Sequence, residues 1–241
     1  MNFSSQENPG IMNFRYKFTF SDGSTKAFDI NLDGTSLALM PKPRKSFPDW
    51  TQLSYHKCPN CPLSDAKHPR CPIAANLADV AEAFRESISF DEADIEITTQ
   101  ARVYNKHTSL QIGISSLIGI TMVTSGCPIM DKLKPMVRTH LPFATHEETV
   151  YRAISMYLLA QYFMMKKGKE PDWELKKLLH TYEQIRIVNH SFCRRLSSSQ
   201  MQDAVLNAVV RLNAFAEIAS LAIQENGLSE IEQLFAAYFN E

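Results

Sequence analysis

The 241 residues carry 25 Lys and Arg against 26 Asp and Glu, a net charge of −1, with 44% hydrophobic and 21% charged residues. That balance argues against a dedicated nucleic-acid binder or a polybasic membrane binder and leaves an ordinary globular chain of one or two domains with a sizeable core. The N-terminal MNFSSQENPG has neither a charged n-region nor an apolar h-region. The longest apolar runs, residues 110–123 and 154–165, are shorter than the ~20 helical residues a bilayer needs. The expectation is a cytoplasmic protein with no membrane contact.

In chain order, residues 1–12 read as a flexible tail. Residues 14–20 alternate Phe14, Tyr16, Phe18 and Phe20 with Arg15, Lys17 and Thr19, the period of a half-buried strand. Asp22-Gly23 signals a turn, and residues 26–32 return as the second arm of a hairpin. The run PKPRKSFP at 41–48 forbids regular structure and leads into a cysteine-rich loop. Beyond it, Ala74, Leu77, Val80, Ala81 and Phe84 recur at helical spacing, and residues 94–104 alternate as a third strand.

From Ser109 onward every segment reads as helix. Residues 110–124 are apolar on most sides and contain Gly113 and Gly119, which predicts a buried helix with close neighbours. Gly126-Cys127-Pro128 separates it from a helix over 129–137. THEE at Thr145 predicts a capping box opening a helix through Met165. Pro171 starts the next, to about Arg195. Ser197–Ser199 precede another to Glu225, which Asn226-Gly227 ends before a last short helix. The fold class is α+β: residues 13–107 with the hairpin, the loop, a helix and a strand, and 108–241 as a helical half, the two possible as one continuous unit.

The stretch HKCPNCPLSDAKHPRCPI, residues 56–73, concentrates the chemistry. Cys58 and Cys61 are spaced C-x2-C, and His68 and Cys71 follow as H-x2-C. Cys58, Cys61, Cys71 and Cys127 are each followed by proline, although proline makes up only about 5% of residues in proteins generally. A C-x2-C turn can aim two thiolates at one point, and a metal cage would order a Pro-rich loop that buries little apolar surface. CPNC resembles the CPxC knuckles of zinc ribbons, rubredoxins and treble-clef fingers over this segment alone, with Pro62 where those knuckles carry glycine.

The expected ligands are therefore Cys58, Cys61, Cys71 and Cys127, with His68 as the alternative fourth ligand; His56 is a weaker candidate and Cys193 a structural thiol. The fourth ligand stays open between a local site of three cysteines and one histidine and a four-cysteine site tied to the helical half. The shared Cys-Pro helix-start context favours Cys127. Four thiolates suit Zn2+ or, alternatively, a [4Fe-4S] cluster. The function expected from this is a metal-binding regulatory or adaptor protein with a structural site and a protein partner. An iron–sulfur redox protein, sensor or enzyme is the alternative.

Other constellations carry less. His180, Glu183, His190 and Arg194 share one helical stripe opposite Leu178, Tyr182, Ile185 and Phe192, the pattern of a solvated face. His140, His146 and Glu147 could make a second metal site, and Trp50, Lys57, Lys67 and Arg70 a nucleic-acid surface. Phosphate-binding glycine loops, H-E-x2-H and G-x-S-x-G are absent, so the sequence assigns no catalytic residue. A homo-oligomer is compatible with all of this.

Overall fold

The computed structural model describes residues 10–40, 42–199, 203–224 and 228–239. The alternating N-terminal pattern forms strands β1 (Ile11–Thr19) and β2 (Thr25–Asp33), in register Tyr16↔Phe28, so β1 begins inside the stretch read as tail. Gly23, at φ 81°, makes the turn that a side chain would strain. β1 also pairs with β3 (Glu92–Thr99), placing Tyr16 opposite Ile97, and β3 pairs with β4 (Val103–Ser109). The result is a four-stranded antiparallel sheet of order β2-β1-β3-β4.

The stretch read as one strand over 94–104 is thus a hairpin. The chain reverses where Thr99 N–H bonds the Arg102 carbonyl at 2.8 Å, and the alternation of Ala101 and Val103 continues only on exposed positions. A run of alternating residues cannot distinguish one long strand from two arms when the turn lacks glycine or proline.

One face of the sheet, carrying Phe14, Tyr16, Phe18, Ile30, Leu32, Ile95 and Ile97, is buried. It packs on α2 (Leu110–Thr124), and α1 (Pro72–Ala83) packs against α2 in turn. Cys71 is the N-cap of α1, with Pro72 at the first turn, as the Cys-Pro pattern predicts. Phe84, just past α1, meets Phe18 edge-on at 5.0 Å and stacks on Phe28 at 5.6 Å. Gly113 lets α2 approach the sheet: a Cβ there would come within 2.8 Å of Phe18 and closer still to Ile95.

Around α2 the helical half assembles as a 3-10 segment (Met130–Thr139), α3 (His146–Lys166), α4 (Lys176–Ser197), α5 (Asp203–Gln224), α6 (Ser229–Gln233) and α7 (Ala236–Phe239). The Thr145 capping box forms in full, with Glu148 N–H donating to Thr145 Oγ1 at 3.1 Å and Thr145 N–H to Glu148 Oε2 at 2.8 Å. α4 starts five residues later than Pro171 suggests. Leu175 sits at φ 60°, and the Asp172 carboxylate accepts from the Lys176 and Lys177 amides. Ser197–Ser199, read as the start of the next helix, instead close α4, with Ser198 as its C-cap, and the Asn226-Gly227 terminator lies outside the described residues.

α5 corrects the reading of the apolar runs: its 22 residues are long and apolar enough to cross a membrane by composition. Here its Ala204, Val205, Ala208, Val209, Ala216 and Ala219 are buried, and α2 and α4 pack along it.

Candidate functional site

The cysteine loop is held by its own bonds and by the helical half. Trp50 and Leu53 are buried, Thr51 and Cys71 are tied by Cys71 N–H to Thr51 O at 2.9 Å, and Leu53 N–H bonds Pro69 O at 3.0 Å. Cys61 N–H reaches Cys58 O at 3.0 Å, closing the C-x2-C turn. From α4, Arg195, only 2% exposed, donates to the carbonyls of Trp50, Gln52 (2.7 Å) and Leu53. These bonds satisfy backbone groups that a Pro-rich loop would otherwise leave unpaired.

Cys58, Cys61, Cys71 and Cys127 all line one small cavity of about 20 Å³, walled otherwise by side chains including Leu53, Leu63, Ile73, Ile129 and Val188 and by Arg195. Yet among the described residues no group of three or more His, Cys, Asp or Glu side chains is arranged to hold a metal ion. That finding overturns the reading of the chain as a zinc or iron–sulfur protein built on these four cysteines. His68, the alternative ligand, is exposed in a turn and does not line the cavity. The physical reason is burial in apolar surroundings. Cys71 belongs to the hydrophobic core, with Cys58, Cys61, Cys127 and Cys193 packed against it, so the thiols act as small apolar side chains. Burial pushes the Cys58 thiol up to about 11 and raises Cys127 as well, which favours S–H over thiolate.

The lesser candidates also separate. His180 and Glu183 pair at 3.5 Å on an exposed face, with His190 and Arg194 exposed too, so this row is solvated. His146 is exposed, its ring edge-on to Phe215 at 4.6 Å, while His140 turns inward. Trp50 is buried and cannot stack on a base, and Lys57 is paired with Asp65 at 3.2 Å.

A second cavity, of about 180 Å³, went unread in the sequence. It opens between α2, the 3-10 segment, α3, α4 and α5. Ile112, Ile120, Val123, Leu133, Met136, Leu212 and Phe215 supply an apolar wall, and Gly119 leaves room on the α2 side. Into this wall are set Ser116, His140, Arg152, Tyr182, Asn189 and Arg211.

His140 Nε2 lies 2.6 Å from Tyr16 Oη and 3.4 Å from Ser116 Oγ, and Tyr16 Oη lies 3.2 Å from Ser116 Oγ. Desolvation, reinforced by the Arg152 charge, pushes the His140 imidazole down to about 3, so it is neutral near pH 7. Arg152 Nη2 donates to the carbonyls of Thr139 (2.8 Å) and Met136 (3.1 Å), but its buried Nε has no hydrogen-bond partner among the described residues. The buried Asn189 Oδ1 likewise has none among the described residues. Arg211 lies over the Phe215 ring at 5.2 Å, and burial lowers the pKa of both guanidinium groups. Among the described residues neither arginine forms an ion pair with a carboxylate.

Nothing short-range in the sequence marks these groups. Arg152 is one charge in an otherwise ordinary helix, and Arg211, His140 and Asn189 come from three other segments. The arrangement is a binding pocket in its general form, mostly apolar with a few convergent polar groups.

Residues 14–236 match the family described as Domain of unknown function (DUF6901). The chain belongs to the DUF6901 family. The match runs from Phe14, the first buried residue of β1, into α7, so sheet, cysteine loop and helical cleft all lie within the family's span. No curated protein and no solved structure matches the chain.

Proposed function

We propose that this DUF6901 chain is a binding protein for a small amphipathic anion, a carboxylate with an apolar tail or ring, held in the cleft between α2, α3, α4 and α5. The observation that carries this reading is the pair of partly desolvated arginines, Arg152 and Arg211, set in an apolar wall with no carboxylate in ion-pair contact among the described residues, Glu148 acting on Arg152 only at longer range. A buried cation without a counter-charge is costly, and an incoming carboxylate would offset that cost. The orphaned Arg152 Nε offers a donor whose desolvation is already complete.

Size narrows the class. A dry apolar cavity of about 150 Å³ accepts a benzene ring, so a cavity of about 180 Å³ suits one ring or a short alkyl chain rather than a long lipid. Neutral His140 with Tyr16 and Ser116 adds hydrogen-bonding capacity without adding charge.

Calorimetric titration with hexanoate, octanoate and phenylacetate, against the matching alcohols and amines, tests the reading. Saturable binding of the carboxylates, lost about 10- to 100-fold in Arg152→Gln, is the expected result, the size of a charged hydrogen bond of roughly 1.5–3 kcal/mol. Equal binding of the alcohols or amines, or carboxylate binding unchanged in Arg152→Gln, would overturn it.

A further inference from the structure

α3 carries two apolar faces, and the fold uses one. Val150, Ala153 and Ile154 turn inward, while Tyr151, Leu158, Leu159, Tyr162 and Phe163 recur at helical spacing on the outside. Leu159 is 55% and Phe163 53% exposed, and Trp173 beyond the helix end is exposed beside them in sequence. A contiguous solvent-facing stripe of this kind marks a docking face.

The same chain exposes a second apolar segment. α6 and α7 are anchored through Leu228 and Ile231, which pack against the core, but Leu234, Tyr238 (76% exposed) and Phe239 (65% exposed) face solvent. The two elements carry opposite charge. α3 ends in exposed Lys166, Lys167 and Lys169, and among the described residues none of them forms an ion pair. α6 carries Glu230 and Glu232, α6 and α7 hold no lysine or arginine, and Glu232 is exposed.

We propose that two copies of this chain associate reciprocally, the C-terminal aromatic segment of each seated on the outward α3 stripe of the other, with glutamates facing the α3 lysines. The area is adequate. Half-exposed aromatics that bury about 150–250 Å² each when covered leave on the order of 600 Å² before the leucines are added, against roughly 800 Å² per partner in a standard interface. Charge complementarity selects this pairing over α3 on α3, which would set lysines against lysines.

Sedimentation velocity of the full chain over a concentration series tests it. The expected result is a monomer–dimer equilibrium whose Kd rises at least about tenfold in Leu159→Glu/Phe163→Glu and equally in Tyr238→Glu/Phe239→Glu. All four positions are exposed, and circular dichroism checks that the helices remain. Lys166→Glu/Lys167→Glu and Glu232→Lys should each weaken the dimer, and mixing the two variants should restore a heterodimer. A monomer at every concentration, a dimer indifferent to the Tyr238/Phe239 change, or sedimentation with anionic vesicles in place of self-association would each overturn the proposal.

Discussion

Arg195 on α4 donates from one Nη1 to the carbonyls of both Trp50 and Gln52, residues 145 and 143 positions earlier in the chain. This fork, with Leu53 as a third acceptor, ties the cysteine loop to the helical half. Replacing Arg195 with Met removes the charge and its bonds to these carbonyls, of which Gln52 O keeps the Tyr55 amide at 3.2 Å, so a loss of about 2–4 kcal/mol is expected. Hydrogen exchange should show the loop opening more than α2 or α5. Unchanged protection of Leu53 and Cys71 amides would show that the loop's own bonds suffice.

The thiols offer a direct check on the correction at the cysteine cavity. A thiol raised from 9.0 to about 11, as at Cys58 and Cys193, holds about 100-fold less thiolate at pH 8. Alkylation by iodoacetamide at these two positions should therefore be about 100-fold slower in the folded chain than in urea. Equal rates would mean that these thiols are exposed and ordinary.

Two glycines of α2 should respond in opposite ways. Gly113→Ala drives a methyl group into Phe18 and Ile95 on the sheet, and overpacking of this kind costs about 1–3 kcal/mol. At Gly119 the nearest atom to a new Cβ is Leu212 at 3.4 Å, an ordinary contact. Gly119→Ala should therefore be neutral or gain up to about 1 kcal/mol of helix propensity. Because Gly119 lines the cleft, its alanine variant should also bind the larger carboxylates less well. Thermal melts and titrations of both variants separate these effects.

His140 makes stability fall in acid. Its folded pKa is depressed from 6.5 to about 3, so between those values the unfolded chain binds the extra proton. This contribution is fully present above pH 6.5 and is lost as pH falls toward 3, with a slope of up to about 1.4 kcal/mol per pH unit. His140→Gln keeps an acceptor for Tyr16 but cannot titrate. Its stability relative to wild type, from urea unfolding, should improve between about pH 7 and about pH 4.5. A constant difference across that range would remove His140 from the acid response.

Local pattern alone specified much of the fold. The alternation of Phe14, Tyr16 and Phe18, the Asp22-Gly23 turn, the Thr145–Glu148 capping box and the Cys71-Pro72 helix start each depend on neighbours within a few residues, so each was legible. Gly113 signalled a close approach, though not what approached. The turn at residues 100–102 was missed because it carries no glycine or proline, and the Asp172 cap because Pro171, read as the helix start, stands five residues before the helix begins.

What the tertiary structure decided is the chemistry. Cysteine spacing says that thiols can come near one another, and they do line one cavity, but the spacing is silent on whether water or leucine surrounds them. Leu53, Ile73 and Val188 supply an apolar wall from three distant segments, and the thiols become core. The cleft is built the same way. Arg152, Asn189 and Arg211 are single polar residues on three different helices, and each becomes meaningful only where packing strips water from all three together. Desolvation is a property of the assembled surroundings, and no local stretch of sequence contains it.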